Sequence, residues 1–196
     1  MTDALPRNAV LLVVDVQKGF DRFNEELHRN NPALEANIAR LQRGWRSTGR
    51  PLIHVQHLSR RPDSPLRPHQ PGCEIKDEVR PIPGELVVQK SVNSAFIGTD
   101  LEAELRHRGY TTLVIAGMQT NLCVSTTARM AGNLGFKTFV VSDATATFDN
   151  VGPDGTRYGA ALLRGARRPA RRVRHGGGHR DDPARFGRWR LIARLC

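Results

Sequence analysis

The fold of this 196-residue chain is decided by residues 111–124, which read TTLVIAGMQTNLCV. The first six residues form an apolar run that is typical of a strand buried on both faces. Gly117 indicates a sharp turn after that strand, and residues 125–134 have the pattern of a helix. Thr120 is predicted to be the N-cap of this helix, which places Cys123 in its first turn.

The predicted position of Cys123 favours a reactive thiol. The free N–H groups and the positive end of the helix dipole stabilise a thiolate, so we expect the pKa of Cys123 to be lowered. Open parallel sheets place nucleophiles in this way, at the carboxyl end of a strand. The alternative is a buried and inert cysteine, which is a common environment for this residue.

Four further apolar runs predict strands, and segments with helical spacing or helix-start signals separate most of them. The runs cover residues 9–14, 51–57, 85–90 and 136–141. Alternation of this kind predicts an α/β protein with a parallel sheet and helices on both faces. The long segment 59–84 contains six prolines and no periodicity, so we expect it to be a loop that covers or shapes the site.

Two helix starts are predicted from capping signals. Asn31 followed by Pro32 is typical of an N-cap and a first helical position. Residues 99–102, TDLE, have the spacing of a capping box. The apolar face of the first helix is predicted to consist of Leu34, Ile38, Leu41 and Trp45.

Reactive side chains stand where three of the predicted strands end. Asp15 closes the first strand, Lys90 closes the third, and Cys123 follows the fourth. Because the carboxyl ends of parallel strands share one edge of the sheet, we expect these three side chains to be neighbours. Taken singly, Asp15 is equally well explained as a loop or cap acid, and Lys90 as a solvated surface lysine.

A metal site is not predicted. His54 and His57 lie three positions apart on one strand, so their side chains point to opposite faces of the sheet and cannot chelate one ion. Cys73 lies in the long loop, where we expect it to be a bystander. We predict no cofactor.

The charge of the chain is concentrated at one end. The net charge is +11, yet residues 1–156 carry 18 basic and 17 acidic residues, whereas residues 157–196 carry 12 arginines and two acids. The part with the candidate site is therefore nearly neutral, which does not favour a nucleic-acid-binding function. Three cysteines without a pairing pattern, no membrane-length apolar run and no secretory leader predict a cytoplasmic protein.

Three parts of the sequence resemble the isochorismatase-like cysteine hydrolase family, between about residue 9 and about residue 158. They are the strand ending in Asp15 with Gln17 and Phe20, the strand ending in Lys90 with residues 93–96 (NSAF), and residues 117–124 (GMQTNLCV). The resemblance implies a three-layer αβα, Rossmann-like and mostly parallel sheet of five to six strands. It also implies a homodimer or a higher homo-oligomer.

The resemblance further implies a catalytic triad of Asp15, Lys90 and Cys123. Cys123 would attack a carbonyl carbon of a small-molecule substrate while Asp15 takes the thiol proton and Lys90 stabilises the anionic pair. A cis peptide is expected between Met118 and Gln119. The backbone N–H groups of Gln119 and Cys123 are expected to form the oxyanion hole.

The substrate-binding walls are predicted from the same family pattern and from the strand ends. The candidates are Gln17, Phe20, His57, Phe96 and Phe148. Family members that hydrolyse the vinyl ether of isochorismate lack the cysteine nucleophile, so Cys123 favours an amide, ureido or carbamoyl substrate. Residues 56–59, QHLS, do not supply the Asp-x-His metal pair of the nicotinamidase members.

The C-terminal part departs from the family pattern. We predict a hydrolase domain over residues 1–160, followed by an Arg- and Gly-rich segment over residues 161–196 that lacks the family's last helix and strand. One hypothesis is a shift of reading frame in a GC-rich gene, and the other is a basic tail that binds nucleic acid. A catalytically silent family member, and an isochorismatase-type hydrolase of another small substrate, are the alternatives for the domain itself.

Overall fold

A computed structural model of the chain describes residues 5–159 and 191–192. The main sheet contains five parallel strands and one short antiparallel strand. In chain order the parallel strands are β1 (Val10–Val14), β2 (Leu52–His57), β3 (Leu86–Lys90), β4 (Thr112–Met118) and β5 (Lys137–Ala146). A small hairpin of β6 (Asn150–Val151) and β7 (Arg157–Tyr158) follows, and β8 (Leu191–Ile192) is the antiparallel strand.

The order of the strands across the sheet is β3-β2-β1-β4-β5-β8. The predicted parallel sheet is therefore confirmed, with β1 at its centre between β2 and β4. All five residues of β1 are buried, which explains why its sequence is continuously apolar rather than alternating. Its side chains alternate between two separate hydrophobic clusters, one on each face of the sheet.

Helices cover both faces. They are α1 (Phe20–Glu26), α2 (Leu34–Ser47), α3 (Leu101–His107) and α4 (Ser125–Asn133). The α2 helix packs on one face through its predicted apolar stripe, in which all four side chains are buried. The α3 and α4 helices pack on the opposite face. The result is the predicted three-layer arrangement.

The two predicted helix starts are wrong in detail. The α2 helix begins only at Leu34, and the Asn31 side chain donates instead to the carbonyl oxygens of Asp143 and Thr145 at 3.1 and 3.0 Å. The α3 helix begins at Leu101, whose N–H donates to the Thr99 hydroxyl oxygen at 3.4 Å, and that hydroxyl donates to the Ala95 carbonyl oxygen at 2.5 Å. Asn31 Oδ1 also accepts from the Ala33 N–H at 3.2 Å, so both predicted residues make a local cap-type bond, but each helix begins later than predicted.

The long loop between β2 and β3 is packed against the protein by buried polar groups. Gln17 is fully buried; its Nε2 donates to the carbonyl oxygens of His57 and Cys73, and its Oε1 accepts from the His57 N–H at 2.9 Å. Lys76 is buried and forms ion pairs with Asp21 and, at 2.9 Å, with Glu35. The loop is thereby held beside the ends of β1 and β2.

The outer edge of β5 is paired in its middle by β8. Leu191 and Ile192 pair antiparallel with Val141 and Val140. The remainder of the predicted C-terminal segment lies outside the described residues, so the domain boundary near residue 160 and both hypotheses about the segment remain predictions. Among the described residues, no helix is long and apolar enough to cross a membrane.

Gly117 is required where β4 approaches β1. Its φ is +125°, and a Cβ added there would collide with the backbone of Val14. We expect Gly117→Ala to lower the free energy of unfolding by at least about 2 kcal/mol, because backbone strain and overpacking add together. Gly109→Ala is the matched control, since its φ is also positive (+66°) but nothing lies within 4 Å of the added Cβ. If urea unfolding shows equal decreases in the free energy of unfolding for the two variants, the close approach of β4 to β1 is not the reason that Gly117 is required.

Candidate active site

The topology brings the three predicted residues to one edge of the sheet. Asp15 directly follows β1, and its N–H donates to the Val55 carbonyl oxygen at 2.9 Å. It has a φ of +52°, a left-handed conformation that Asp and Asn tolerate better than most residues. Lys90 ends β3, two strands away, and its side chain reaches across β2 to Asp15. Cys123 lies beyond the end of β4 on the other side of β1.

Lys90 connects the members of the site. Its Nζ lies 2.5 Å from Asp15 Oδ2 and 3.4 Å from Cys123 Sγ. A third contact, at 3.1 Å, joins Lys90 Nζ to Nδ1 of His57. The side chains of Lys90 and Asp15 are 0 % and 1 % exposed, so their ion pair is shielded from solvent. An interaction in such a place is much stronger than the same contact at the surface.

The electrostatics of Asp15 and Cys123 favour a protonated thiol. Burial raises the pKa of Asp15, although Lys90 opposes that shift. Burial, and secondly the charge of Asp15, raise the pKa of Cys123 to about 12, again against the effect of Lys90. Lys90, the group that favours the thiolate, is already paired with the Asp15 carboxylate. The resting site therefore holds a thiol next to a carboxylate that is able to take its proton.

The predicted lowering of the pKa of Cys123 is wrong. That prediction placed Cys123 in the first turn of a helix capped by Thr120. Instead, residues Thr120–Val124 form a π-helical turn without a side-chain cap, and α4 begins only at Ser125. This turn runs directly into α4, so the helix N-terminus remains close to Cys123, but burial and the Asp15 charge act on the sulfur itself and raise its pKa.

The rate at which Cys123 is alkylated should report this raised pKa. We expect the iodoacetamide rate at Cys123 to rise about tenfold per pH unit from about pH 7 to about pH 10, because the thiolate fraction grows in that way below the pKa. The rate is measured by peptide mass, with Cys73 followed in the same digest. A rate that levels off near neutral pH would contradict the raised pKa of Cys123.

The turn that carries Cys123 is built from backbone geometry and is tied to its surroundings. The peptide bond between Met118 and Gln119 is cis. The Gln119 carbonyl oxygen accepts from the N–H groups of Leu122 and Val124, both at 3.1 Å. These bonds fold the chain tightly around Cys123, so that the N–H groups of Gln119 and Cys123 belong to one compact turn.

Two polar neighbours of this turn were not predicted. Asn93 Oδ1 lies 3.8 Å from Cys123 Sγ, at the distance of a weak S–H hydrogen bond. The Thr147 hydroxyl donates to Asn121 Oδ1 within the turn. Asn93 follows Lys90 by three residues in the loop after β3, and this closeness to a strand-end lysine is the signal that could have indicated it.

The structure distributes the predicted substrate-binding residues unevenly. His57 is half-buried and lies against Lys90. Phe20 and Phe148 stack on each other with ring centroids 6.2 Å apart in one hydrophobic cluster. Phe96 stacks on Phe136 at 5.9 Å in the other cluster. The Gln17 amide is bonded to backbone groups. Within the described part of the chain, His57 is therefore the predicted substrate-binding residue that contacts Lys90 directly.

One cluster in the described residues has ligand types that suit a metal ion. The potential ligand atoms of Asp15, His57 and Cys123 lie within 4.8 Å of one another. However, Lys90 Nζ is within hydrogen-bond distance of all three side chains. Its positive charge already occupies the position from which a cation would contact the same ligands, so this donor set does not fit a metal as it is arranged here.

The fold and the site together define a three-layer α/β protein with a cysteine beside a buried carboxylate–lysine pair, and sequence comparison identifies its family. Residues 9–164 match the Isochorismatase domain model. The isochorismatase family protein YrdC of Bacillus subtilis is 46 % identical over 155 residues, covering 78 % of this chain and 81 % of that protein. The chain therefore belongs to the isochorismatase family and is a hydrolase.

Other relatives carry more specific names. A hydrolase of the isochorismatase family from Chromobacterium violaceum superimposes with a TM-score of 0.77 at 43 % identity, covering 84 % of this chain and 86 % of that one. A streptothricin hydrolase of Streptomyces noursei is 37 % identical over 71 % of this chain and 50 % of its own length. N-carbamoylsarcosine amidase of Thermoplasma acidophilum has a TM-score of 0.63 at 27 % identity, with coverages of 75 % and 87 %.

Proposed function

We propose that this protein is a cysteine hydrolase that cleaves a C–N bond of a small amide, ureido or carbamoyl compound through a thioester on Cys123. The observation that carries the proposal is the pair of contacts from Lys90 Nζ to Asp15 Oδ2 and to Cys123 Sγ, in which the Asp15–Lys90 pair is buried and Cys123 is half-buried. An amidase among the structural relatives supports the choice of a C–N bond.

The first half of the proposed reaction forms the thioester. Asp15 takes the proton of the Cys123 thiol as the sulfur attacks the carbonyl carbon, and the oxygen of the resulting tetrahedral intermediate carries the negative charge. The N–H groups of Gln119 and Cys123 are the proposed donors to that oxygen. Asp15 then transfers its proton to the departing nitrogen, the C–N bond breaks, and ammonia or an amine leaves.

The second half restores the enzyme. Asp15 takes a proton from water as the water oxygen attacks the thioester carbonyl carbon. When the C–S bond breaks, that proton passes to the Cys123 sulfur and the acid is released. Asp15 is suited to both transfers because burial raises its pKa, which makes its carboxylate a stronger base than an exposed aspartate. Lys90 keeps the carboxylate next to the sulfur at each step.

A substrate screen tests the proposal. Small amides, ureides and N-carbamoyl compounds are incubated with the protein, and ammonia release is measured with Cys123→Ser as the blank. Cys73→Ser is the matched control, because Cys73 is buried outside the Lys90 contacts. Release that requires Cys123 but tolerates Cys73→Ser is expected. Release that persists in Cys123→Ser would overturn the proposed nucleophile, and no release with any compound would favour a catalytically silent member.

The assembly state and the location remain expectations of the family resemblance and of the sequence. We propose a homodimer or higher homo-oligomer, acting on a small molecule rather than on nucleic acid. Light scattering of the purified full chain measures the assembly directly, and a monomer across the concentration range would contradict it.

A further inference from the structure

His57 makes a contact that the triad alone does not require. Its Nδ1 lies 3.1 Å from Lys90 Nζ, and this ammonium has two other contacts, to Asp15 and to Cys123. A lysine ammonium has three N–H donors and no acceptor. The three acceptors around Lys90 therefore match its three protons, and His57 supplies the one acceptor that is neither the base nor the nucleophile.

The partner determines the protonation of the ring. Because the ammonium can only donate, His57 Nδ1 must accept, so the imidazole is neutral and carries its single proton on Nε2. Burial and the neighbouring positive charge of Lys90 act in the same direction, and they lower the pKa of His57 to about 4. The ring is therefore neutral at neutral pH.

The ring is also held in place by its backbone. The N–H and the carbonyl oxygen of His57 both bond to the buried Gln17 amide at 2.9 Å, and His57 and Lys90 are register partners in the β2–β3 pair. Nε2 has no hydrogen-bond partner among the described residues. The site therefore has a fixed acceptor directed at Lys90 and one unused neutral donor on the same half-buried ring.

We propose that His57 is a positioning residue that aims Lys90 at Asp15 and Cys123, and that its Nε2–H donates to an acceptor oxygen of the substrate. This inference rests on the proposed cysteine hydrolase function. It limits the substrate to compounds with a carbonyl or carboxylate oxygen close to the scissile bond, in addition to the carbonyl that is attacked. It also explains Gln17 as a buried group that holds His57, rather than one that binds substrate.

Two variants separate the two parts of the proposal. In His57→Asn the side-chain oxygen stands where Nδ1 stood, so the Lys90 contact is kept and the distal donor is lost. In His57→Phe the ring is kept and both polar contacts are lost. We expect His57→Asn to retain the wild-type pH profile of Cys123 alkylation and kcat, with KM raised about tenfold for the loss of one substrate hydrogen bond.

His57→Phe should affect the chemistry itself. We expect both kcat and Cys123 alkylation at one fixed pH to fall about tenfold or more, because a contact to a charged group is lost and Lys90 is no longer held against the sulfur. The exposed His107→Phe is the matched control and should leave both unchanged. Wild-type alkylation and kcat in His57→Phe would overturn the positioning role, and an unchanged KM in His57→Asn would overturn the donor role.

A direct observation keeps this test separate from the proposed function. The ¹⁵N chemical shifts of His57 in the labelled full chain, assigned by comparison with His57→Asn, distinguish a proton on Nε2 from one on Nδ1. A bare Nδ1 that persists through neutral pH is expected, and a protonated Nδ1 would overturn the inference. Neither outcome depends on turnover, so the ring state is decided even if no amide proves to be a substrate.

Discussion

Lys90→Met is expected to lower the free energy of unfolding by about 3–5 kcal/mol, the usual effect of removing one partner from a buried ion pair. The reason is the carboxylate that stays behind. Asp15 is fully buried, its Oδ2 contacts Lys90 at 2.5 Å, and its Oδ1 has no hydrogen-bond partner within residues 5–159. Without the ammonium, Asp15 must remain charged in an apolar place or take up a proton.

Two further variants test that explanation by urea unfolding. In Asp15→Asn/Lys90→Met no charge is left uncompensated, so we expect most of the lost stability to return. Lys18→Met is the matched surface control, because Lys18 contacts Glu74 at 2.6 Å but their side chains are 36 % and 61 % exposed. Lys18→Met should lower the free energy of unfolding by less than about 1 kcal/mol. If Lys90→Met and Lys18→Met lower the free energy of unfolding by similar amounts, burial of the ion pair does not determine its contribution to stability.

Asp15→Asn is expected to change hydrolysis and alkylation in opposite directions. The amide has no basic oxygen for the thiol proton, so kcat/KM should fall on the order of 10²–10⁴-fold, the usual range for loss of a general base. The same change removes the negative charge that helps to raise the pKa of Cys123. Alkylation of Cys123 at neutral pH should therefore become faster than in the wild-type protein.

Slower hydrolysis together with faster Cys123 alkylation in Asp15→Asn would distinguish loss of the base from damage to the fold. Asn keeps an oxygen that accepts from Lys90 and tolerates the left-handed conformation of residue 15, where φ is +52°. A misfolded site would slow hydrolysis and would also expose Cys73, which the peptide masses detect. If both hydrolysis and Cys123 alkylation slow down together, Asp15 does not act on the thiol in the manner described.

The sequence predicts the edge of the sheet on which the site lies, because continuous apolar runs end abruptly in polar residues. The alternation of strands and helices predicts parallel strands, which places Asp15, Lys90 and Cys123 on one edge of the sheet. The strand order β3-β2-β1-β4, which the structure shows, makes them neighbours. Burial of the α2 stripe was predictable for the same reason: its helical spacing requires a single apolar face.

Other features depend on tertiary contacts that no local pattern encodes. The side-chain oxygen of Asn31 accepts from a local N–H as its sequence pattern predicts, but the bonds from its amide group to carbonyl groups at the end of β5 could not be predicted. The pKa of Cys123 was predicted from the free N–H groups and the dipole of a helix N-terminus, whereas burial and the Asp15 charge act on the sulfur and raise that pKa. The contact between His57 and Lys90 depends on the register of β2 and β3, which follows from the packed sheet.

The proposed reaction passes through a covalent acyl group on Cys123, and rapid acid quenching during turnover traps such an intermediate. The substrate is the compound with the fastest ammonia release, and the peptide that contains Cys123 is weighed after digestion. We expect this peptide to gain a mass equal to the acyl part of that substrate. The added mass should be absent in Cys123→Ser and should be removed by hydroxylamine, which cleaves thioesters. Turnover with Cys123 unmodified, or with the acyl group on another residue, would contradict it.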